Sequence, residues 1–152
     1  MAKKVKHKKP SIIDNRRARR NYEVIETLEV GISLVGTEVK ALREGRVSLD
    51  EAYVHIVGRG LVLERAHFGE YSNANINGHP ALRPRALLAH KKEVLKLEIE
   101  VKQKGLTLIP MKMYFSGRWA KVEVALARGR TDYDKRQVMK ERDAKRDIKR
   151  FL

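Results

Sequence analysis

From Thr27 to Leu34 the chain alternates without a break. Leu28, Val30, Ile32 and Leu34 fall on one side, and Thr27, Glu29, Gly31 and Ser33 on the other. A period of two is the mark of a strand with one buried face, and it excludes an amphipathic helix there. The pattern returns at Ala52, Val54 and Ile56, turns at Gly58-Arg59-Gly60, and runs back through Leu61–Leu63 as a hairpin. It returns again in Leu106–Phe115 and in Trp119–Ala127, which are joined by Ser116-Gly117-Arg118. In the last strand Val122, Val124 and Leu126 oppose Lys121, Glu123 and Ala125.

Between these strands the signals change. Thr37 reads as an N-cap, followed by Val39, Ala41 and Leu42 on a short helix that stops at Gly45. Lys91–Lys104 fits two periods: Val94, Leu97 and Val101 share a helical face, while Leu95, Leu97, Ile99 and Val101 alternate. Its length and Gly105 favour a helix. Residues 69–86 read as a long loop. Five or six short strands with two short helices predict a small β-barrel, or an open sheet with helices packed on it. One such barrel, the OB-fold, commonly binds nucleic acid.

Charge divides the 152 residues into three regions. Residues 1–20 hold nine basic and one acidic residue, 21–127 hold 15 and 13, and 128–152 hold ten and five. A near-neutral body with basic ends suits a polyanion, nucleic acid before an anionic membrane. The expected division is a basic, disordered arm over 1–13, a barrel over 14–128 and a basic tail over 129–152, with Gly129 as its hinge. In the tail Ala144, Ile148 and Leu152 recur every fourth residue as a narrow apolar stripe. Helix formers fill the segment, yet such a helix is marginal alone in water. It is expected to be disordered when free and helical on an anionic surface. The competing reading is a helix docked on its own domain by Ile148 and Phe151.

Several function classes drop out. There is no cysteine, which removes disulfides, thiolate catalysis and cysteine-ligated zinc, and fits a reducing compartment. No apolar run approaches the roughly 18 residues of a bilayer span. The basic start MAKKVKHKKPS has no apolar core behind it and is not expected to be a secretory signal. His7, His55, His67, His79 and His90 form no metal-ligand spacing, no carboxylate pair stands out, and Gly58-Arg59-Gly60 is a turn and not a phosphate cradle. Neither enzyme, cofactor nor metal is expected.

Six stretches carry a resemblance. NRRAR (Asn15–Arg19) before Tyr22 and EVGISLVGTEVKALREG (Glu29–Gly45) open it. RPRALLAHKKEV (Arg83–Val94), QKGLTLIPMKMYF (Gln103–Phe115), AKVEVALARG (Ala120–Gly129) and DKRQVMKERDAKR (Asp134–Arg146) follow in order. Together they resemble the SsrA-binding protein, or small protein B, family over residues 15–150. The resemblance implies a bacterial cytoplasmic protein that is mainly β, an OB-fold-like antiparallel barrel of about six strands with two to three helices. It implies binding to the tRNA-like part of transfer-messenger RNA and delivery of that RNA to stalled ribosomes for trans-translation. The chain would act as a monomer, without membrane or cofactor. Its tail would reach the decoding centre and turn helical in the empty mRNA channel.

By the same resemblance Asn15, Tyr22 and Glu29 are RNA-binding positions. The competing readings are a turn or cap residue for Asn15, core for Tyr22 and a local ion pair for Glu29. Arg16, Arg19, Arg83, Arg85, His90, Lys91 and Lys121 are expected at phosphate and sugar. Leu87 and Leu88 would pack under the RNA or in the core. In the tail Asp134, Lys135 and Arg136 are expected near the decoding centre. Lys140, Arg142, Lys145, Ile148, Lys149 and Arg150 are expected along the channel. Where the family usually carries a basic group, this chain has Ala81, Ala86 and Thr131, and it has Ala89 where leucine is usual. Each lost phosphate contact would flatten the salt dependence of binding by roughly 0.9 in log–log slope. Two other readings compete: a constitutive ribosomal or rRNA-assembly protein, and a nuclease.

Overall fold

The computed structural model describes residues 12–69, 80–130 and 132–151. In chain order the elements are β1 (Ile13–Asp14), α1 (Arg16–Asn21), β2 (Tyr22–Ile32), α2 (Gly36–Arg43), β3 (Val47–Ser48), β4 (Tyr53–Val57) and β5 (Gly60–Glu64). Then come β6 (His67–Phe68), β7 (Arg85–Leu88), α3 (Lys91–Lys104), β8 (Thr107–Ser116), β9 (Trp119–Gly129) and α4 (Asp132–Phe151). Six strands close a ring in the order β8-β4-β5-β7-β2-β9, with β9 returning to β8, and every pairing is antiparallel. This is the OB-fold-like barrel expected from the sequence. Closure leaves no unpaired strand edge within the ring. The remaining strands are two-residue pieces: β1 extends β8, and β3 pairs with β6.

Alternation decides what fills the barrel. Val30, Ile32, Val54, Leu61, Leu63, Leu87, Leu108, Met113, Val122, Val124 and Leu126 point inward and are buried. Burying each large aliphatic side chain contributes about 1.5–3 kcal/mol. Ala41 and Leu42 of α2, with Val94 and Leu97 of α3, complete that core. In α3 the helical period wins, since Val94 and Leu97 are buried while Leu95 and Ile99 are exposed. Gly105 ends it at φ +62°, a backbone that residues with a Cβ rarely adopt.

Some boundaries differ from expectation, each for a physical reason. β2 begins at Tyr22, ahead of the alternating stretch from Thr27, and the bulge between Val24 and Glu26 breaks the period that would have marked its start. Arg85 and Ala86, at the end of the expected loop, belong to the strand Arg85–Leu88, since Leu87 pairs with Leu61 and with Ile32. α2 starts one residue before Thr37. Its first turn is held by Glu38, whose carboxylate accepts from the Val35 backbone N–H at 3.0 Å. Ile13, one residue ahead of the expected start of the barrel, pairs with Met113, and Gly129, the expected hinge, forms the last pair of the β2–β9 ladder with Tyr22. Residues 1–11, 70–79, 131 and 152, including most of the expected arm, part of the expected loop and Thr131, lie outside the described residues.

Candidate nucleic-acid interface

The outward face of β9 has two halves. Ala125 and Ala127 are buried with Ile109 and Met111 of β8 beneath Ala18 of α1, and Tyr22 packs against this second cluster. Methyl side chains let α1 approach the sheet closely. Ile109 and Met111 share this face by alternation, and the bulge between Pro110 and Lys112 keeps Lys112, the next residue, on the outside as well, opposite Glu123. Further along, Lys121 and Glu123 are not covered, and their neighbours on β8 are Tyr114 and Lys112.

Register builds a continuous row from there. Tyr114 pairs with Lys121, Lys121 with Gly31, and Gly31 with Leu88, so the row crosses β8, β9, β2 and β7 on the outside of the barrel. Gly31 leaves a dip in its middle. A Cβ there would meet Leu88 Cβ at 3.2 Å, closer than the neighbour tolerates without moving. Exposed Leu88 leads directly to exposed His90 and Lys91 at the start of α3. One strand step before Gly31 on the same face, the Glu29 carboxylate accepts from the Tyr114 hydroxyl. That bond, then burial and the charges of Glu29 and Glu123, pushes the Tyr114 phenol up to about 12. Glu29 is paired, but with a tyrosine and not with a basic residue.

A second basic surface lies at the other end of β2, about 30 Å along the strand at 3.3 Å per residue. Here α1 places Arg16, Arg19 and Arg20 on one face, with Arg19 bonded to Asp14 at 2.9 Å. The tail leaves the barrel at this end, and the Arg130 backbone N–H donates to the Asn21 carbonyl at 2.8 Å.

Three expected contacts are inside the protein and require correction. Asn15 is 1% exposed. Its Nδ2 donates to the carbonyls of Leu49 (3.0 Å) and Pro110 (2.8 Å), and its Oδ1 accepts from the Ala18 N–H (3.1 Å) as the N-cap of α1. Both amide donors are consumed by the fold, leaving none for a base edge. Arg85 is 0% exposed. It donates to Glu38 and to the carbonyls of Ala66 (2.9 Å) and Arg83 (2.6 Å), and lies 4.0 Å from the centre of the Phe68 ring. A guanidinium so enclosed does not reach phosphate. Leu87 is core, and Leu88 is the leucine that faces out. Arg83 is half-buried and pairs with Glu38 as well.

Glu38 thus joins α2 to two arginines. Burial alone would raise its pKa, but the Val35 N–H and both guanidiniums outweigh that and hold it below the usual carboxylate range. Glu38 is not among the residues expected in a site; the signal for it is its place within a short helix whose other inward residues, Ala41 and Leu42, are apolar.

The tail is α4. Lys135 is half-buried, while Arg136, Lys140, Arg142, Lys145, Lys149 and Arg150 are exposed. Ile148 is 60% exposed, so it does not dock the helix on the body. The side chains of Asp134 and Phe151 lie outside the described residues. Among the described residues no group of three or more histidines and carboxylates gathers to hold a metal. No described helix is long and apolar enough to cross a membrane.

Known proteins share this sequence and shape. The SmpB protein family matches residues 12–152. An SsrA-binding protein of Trichodesmium erythraeum is 47% identical across 100% of this chain and 98% of its own length. One from Desulforamulus reducens is 48% identical across 93% and 89%. A chain in a solved structure described as "tmRNA-SmpB: a journey to the center of the bacterial ribosome" superposes with a TM-score of 0.67 and 43% identity. That match covers 80% of this chain and 85% of the other. With agreement over its whole length in sequence and over most of it in shape, this chain belongs to the SmpB protein family.

Proposed function

We propose that this protein binds transfer-messenger RNA through its barrel and delivers it to stalled ribosomes in trans-translation, while α4 probes the decoding centre and the empty mRNA channel. The observation that carries this reading is the separation of two surfaces along one strand, β2. The Tyr114–Lys121–Gly31–Leu88 row, with His90 and Lys91, lies at one end of β2, and the tail departs at the other. One body can therefore hold an RNA and still present a helix elsewhere. The family relatives named for SsrA binding, and the neighbour described with tmRNA and the ribosome, support the same partners.

In this reading Lys121, His90 and Lys91 meet backbone phosphate, and Leu88 and Tyr114 give apolar and aromatic contact to an RNA loop. Arg16, Arg19 and Tyr22 form the second RNA contact. Glu29 acts through Tyr114. Lys135, Arg136, Lys140, Arg142, Lys145, Lys149 and Arg150 run along the ribosomal channel, with Asp134 at its entrance and Ile148 on the narrow apolar side. The protein performs no bond chemistry itself, and its setting is the bacterial cytoplasm. Reconstituted tagging on stalled ribosomes tests the division. A chain cut after Arg130 should keep transfer-messenger RNA binding and lose tagging, and equal loss of both would refute it.

A further inference from the structure

Where α4 passes α1, Arg142 joins Arg16, Arg19, Arg20 and Asp14 around one open cleft of about 530 Å³. The arrangement follows from helix spacing. Positions 16, 19 and 20 share a face of α1, while Ala18 is turned onto the sheet and Arg17 points toward Glu51 at 4.0 Å. Among the described residues the cleft holds one carboxylate, Asp14, and it is already bonded to Arg19. Among the described residues Arg16, Arg20 and Arg142 have no ion-pair partner.

Two helices thus meet through guanidiniums contributed from both sides, with little to neutralise them. Like charges at such a seam oppose docking, and Ile148, the expected apolar anchor of the tail, is exposed and does not offset them. An anion bearing several acceptor oxygens would reverse the sign. Guanidiniums bind phosphate in forked, charge-assisted pairs, and one phosphate can serve arginines from α1 and α4 together. We propose that this seam is a phosphate-binding site, filled by a phosphodiester of bound RNA, and that its occupancy docks α4 on α1. The tail's direction is then set by whether RNA backbone lies at the α1 end of the barrel. This extends the proposed function by taking RNA as the source of phosphate.

The test uses the full chain. It has no cysteine, so Arg59→Cys and Ile148→Cys place two dyes without interference. Energy transfer between them is followed at low salt while oligouridylate or pyrophosphate is added. The distance distribution should narrow to one docked state. Arg142→Gln should abolish the narrowing, weaken oligouridylate binding about tenfold, and lower the log–log salt slope by about 0.7. Arg17→Gln, on the same helix but aimed away, should leave the narrowing intact. Narrowing with pyrophosphate assigns a site that accepts any phosphate, and narrowing with oligouridylate alone assigns one that needs the RNA backbone. Each outcome supports the site. It is overturned if neither probe moves the tail, or if Arg17→Gln and Arg142→Gln lose the effect equally, which would mean bulk charge. If transfer-messenger RNA still binds while the tail stays unmoved, the seam fails and the proposed function stands.

Discussion

The Arg85 guanidinium and the Glu38 carboxylate are bonded to one another with neither side chain exposed to solvent. Arg85 also ties the carbonyls of Ala66 and Arg83 to the face of Phe68, so one side chain joins α2, β6 and the turn before β7. Removing it takes from the buried Glu38 carboxylate its one fully buried cationic partner, leaving only half-buried Arg83, and unpairs the carbonyls of Ala66 and Arg83 from their guanidinium donor. Arg85→Ala should therefore lower unfolding free energy in urea by about 3–5 kcal/mol. RNA affinity, measured on the folded fraction, should be unchanged. Retained stability with weakened RNA binding would return Arg85 to the interface.

The same pair sets an acid limit. Glu38 is held below its ordinary value of 4.5, so between its folded and unfolded pKa the unfolded chain binds the extra proton. Its contribution is complete above about pH 4.5 and is lost as pH falls through the lower folded value. Urea midpoints measured from pH 7 downward should begin to fall below pH 4.5, and Glu38→Gln should flatten that fall while being less stable at pH 7.

Much of this was legible beforehand. Alternation located the core of β2, the β4–β5 hairpin and the β8–β9 pair, because a barrel imposes the period of two wherever one face is buried. It missed Tyr22–Glu26, where the bulge at Ile25 breaks the period, and β7, whose Arg85 reads as surface until Glu38 is seen beside it. The candidate surface was partly legible: His90 and Lys91 are exposed and Lys121 is half-buried on the outer face, whereas Asn15 and Arg85 are polar residues committed to distant backbone, and such pairing is not written in local sequence.

Asn15 links β1, α1, the Leu49 turn and β8 through one amide. Asn15→Ala removes a helix cap and leaves two buried carbonyls unpaired, and should cost about 1–3 kcal/mol. Thermal melts at fixed pH check this. An unchanged melting temperature with lost RNA affinity would contradict a structural role.

Glu29 and Tyr114 form a test that is independent of folding. With the carboxylate removed in Glu29→Gln, the Tyr114 phenol should drop from about 12 toward its ordinary value of 10.0. Tyrosinate absorbance against pH reads this directly. The bond's contribution to stability is present below pH 10 and disappears as pH rises through the folded value, so it is intact at neutral pH, where RNA binding is measured.

The central claim is that the barrel recognises transfer-messenger RNA and does not merely attract polyanions through a net charge of +15. Competition binding at physiological salt, with transfer-messenger RNA against an unrelated RNA of equal length, tests it most directly for the full chain and for a chain ending at Arg130. The account predicts a large preference that survives loss of the tail. No preference in the full chain, or a preference that vanishes with α4, would contradict it.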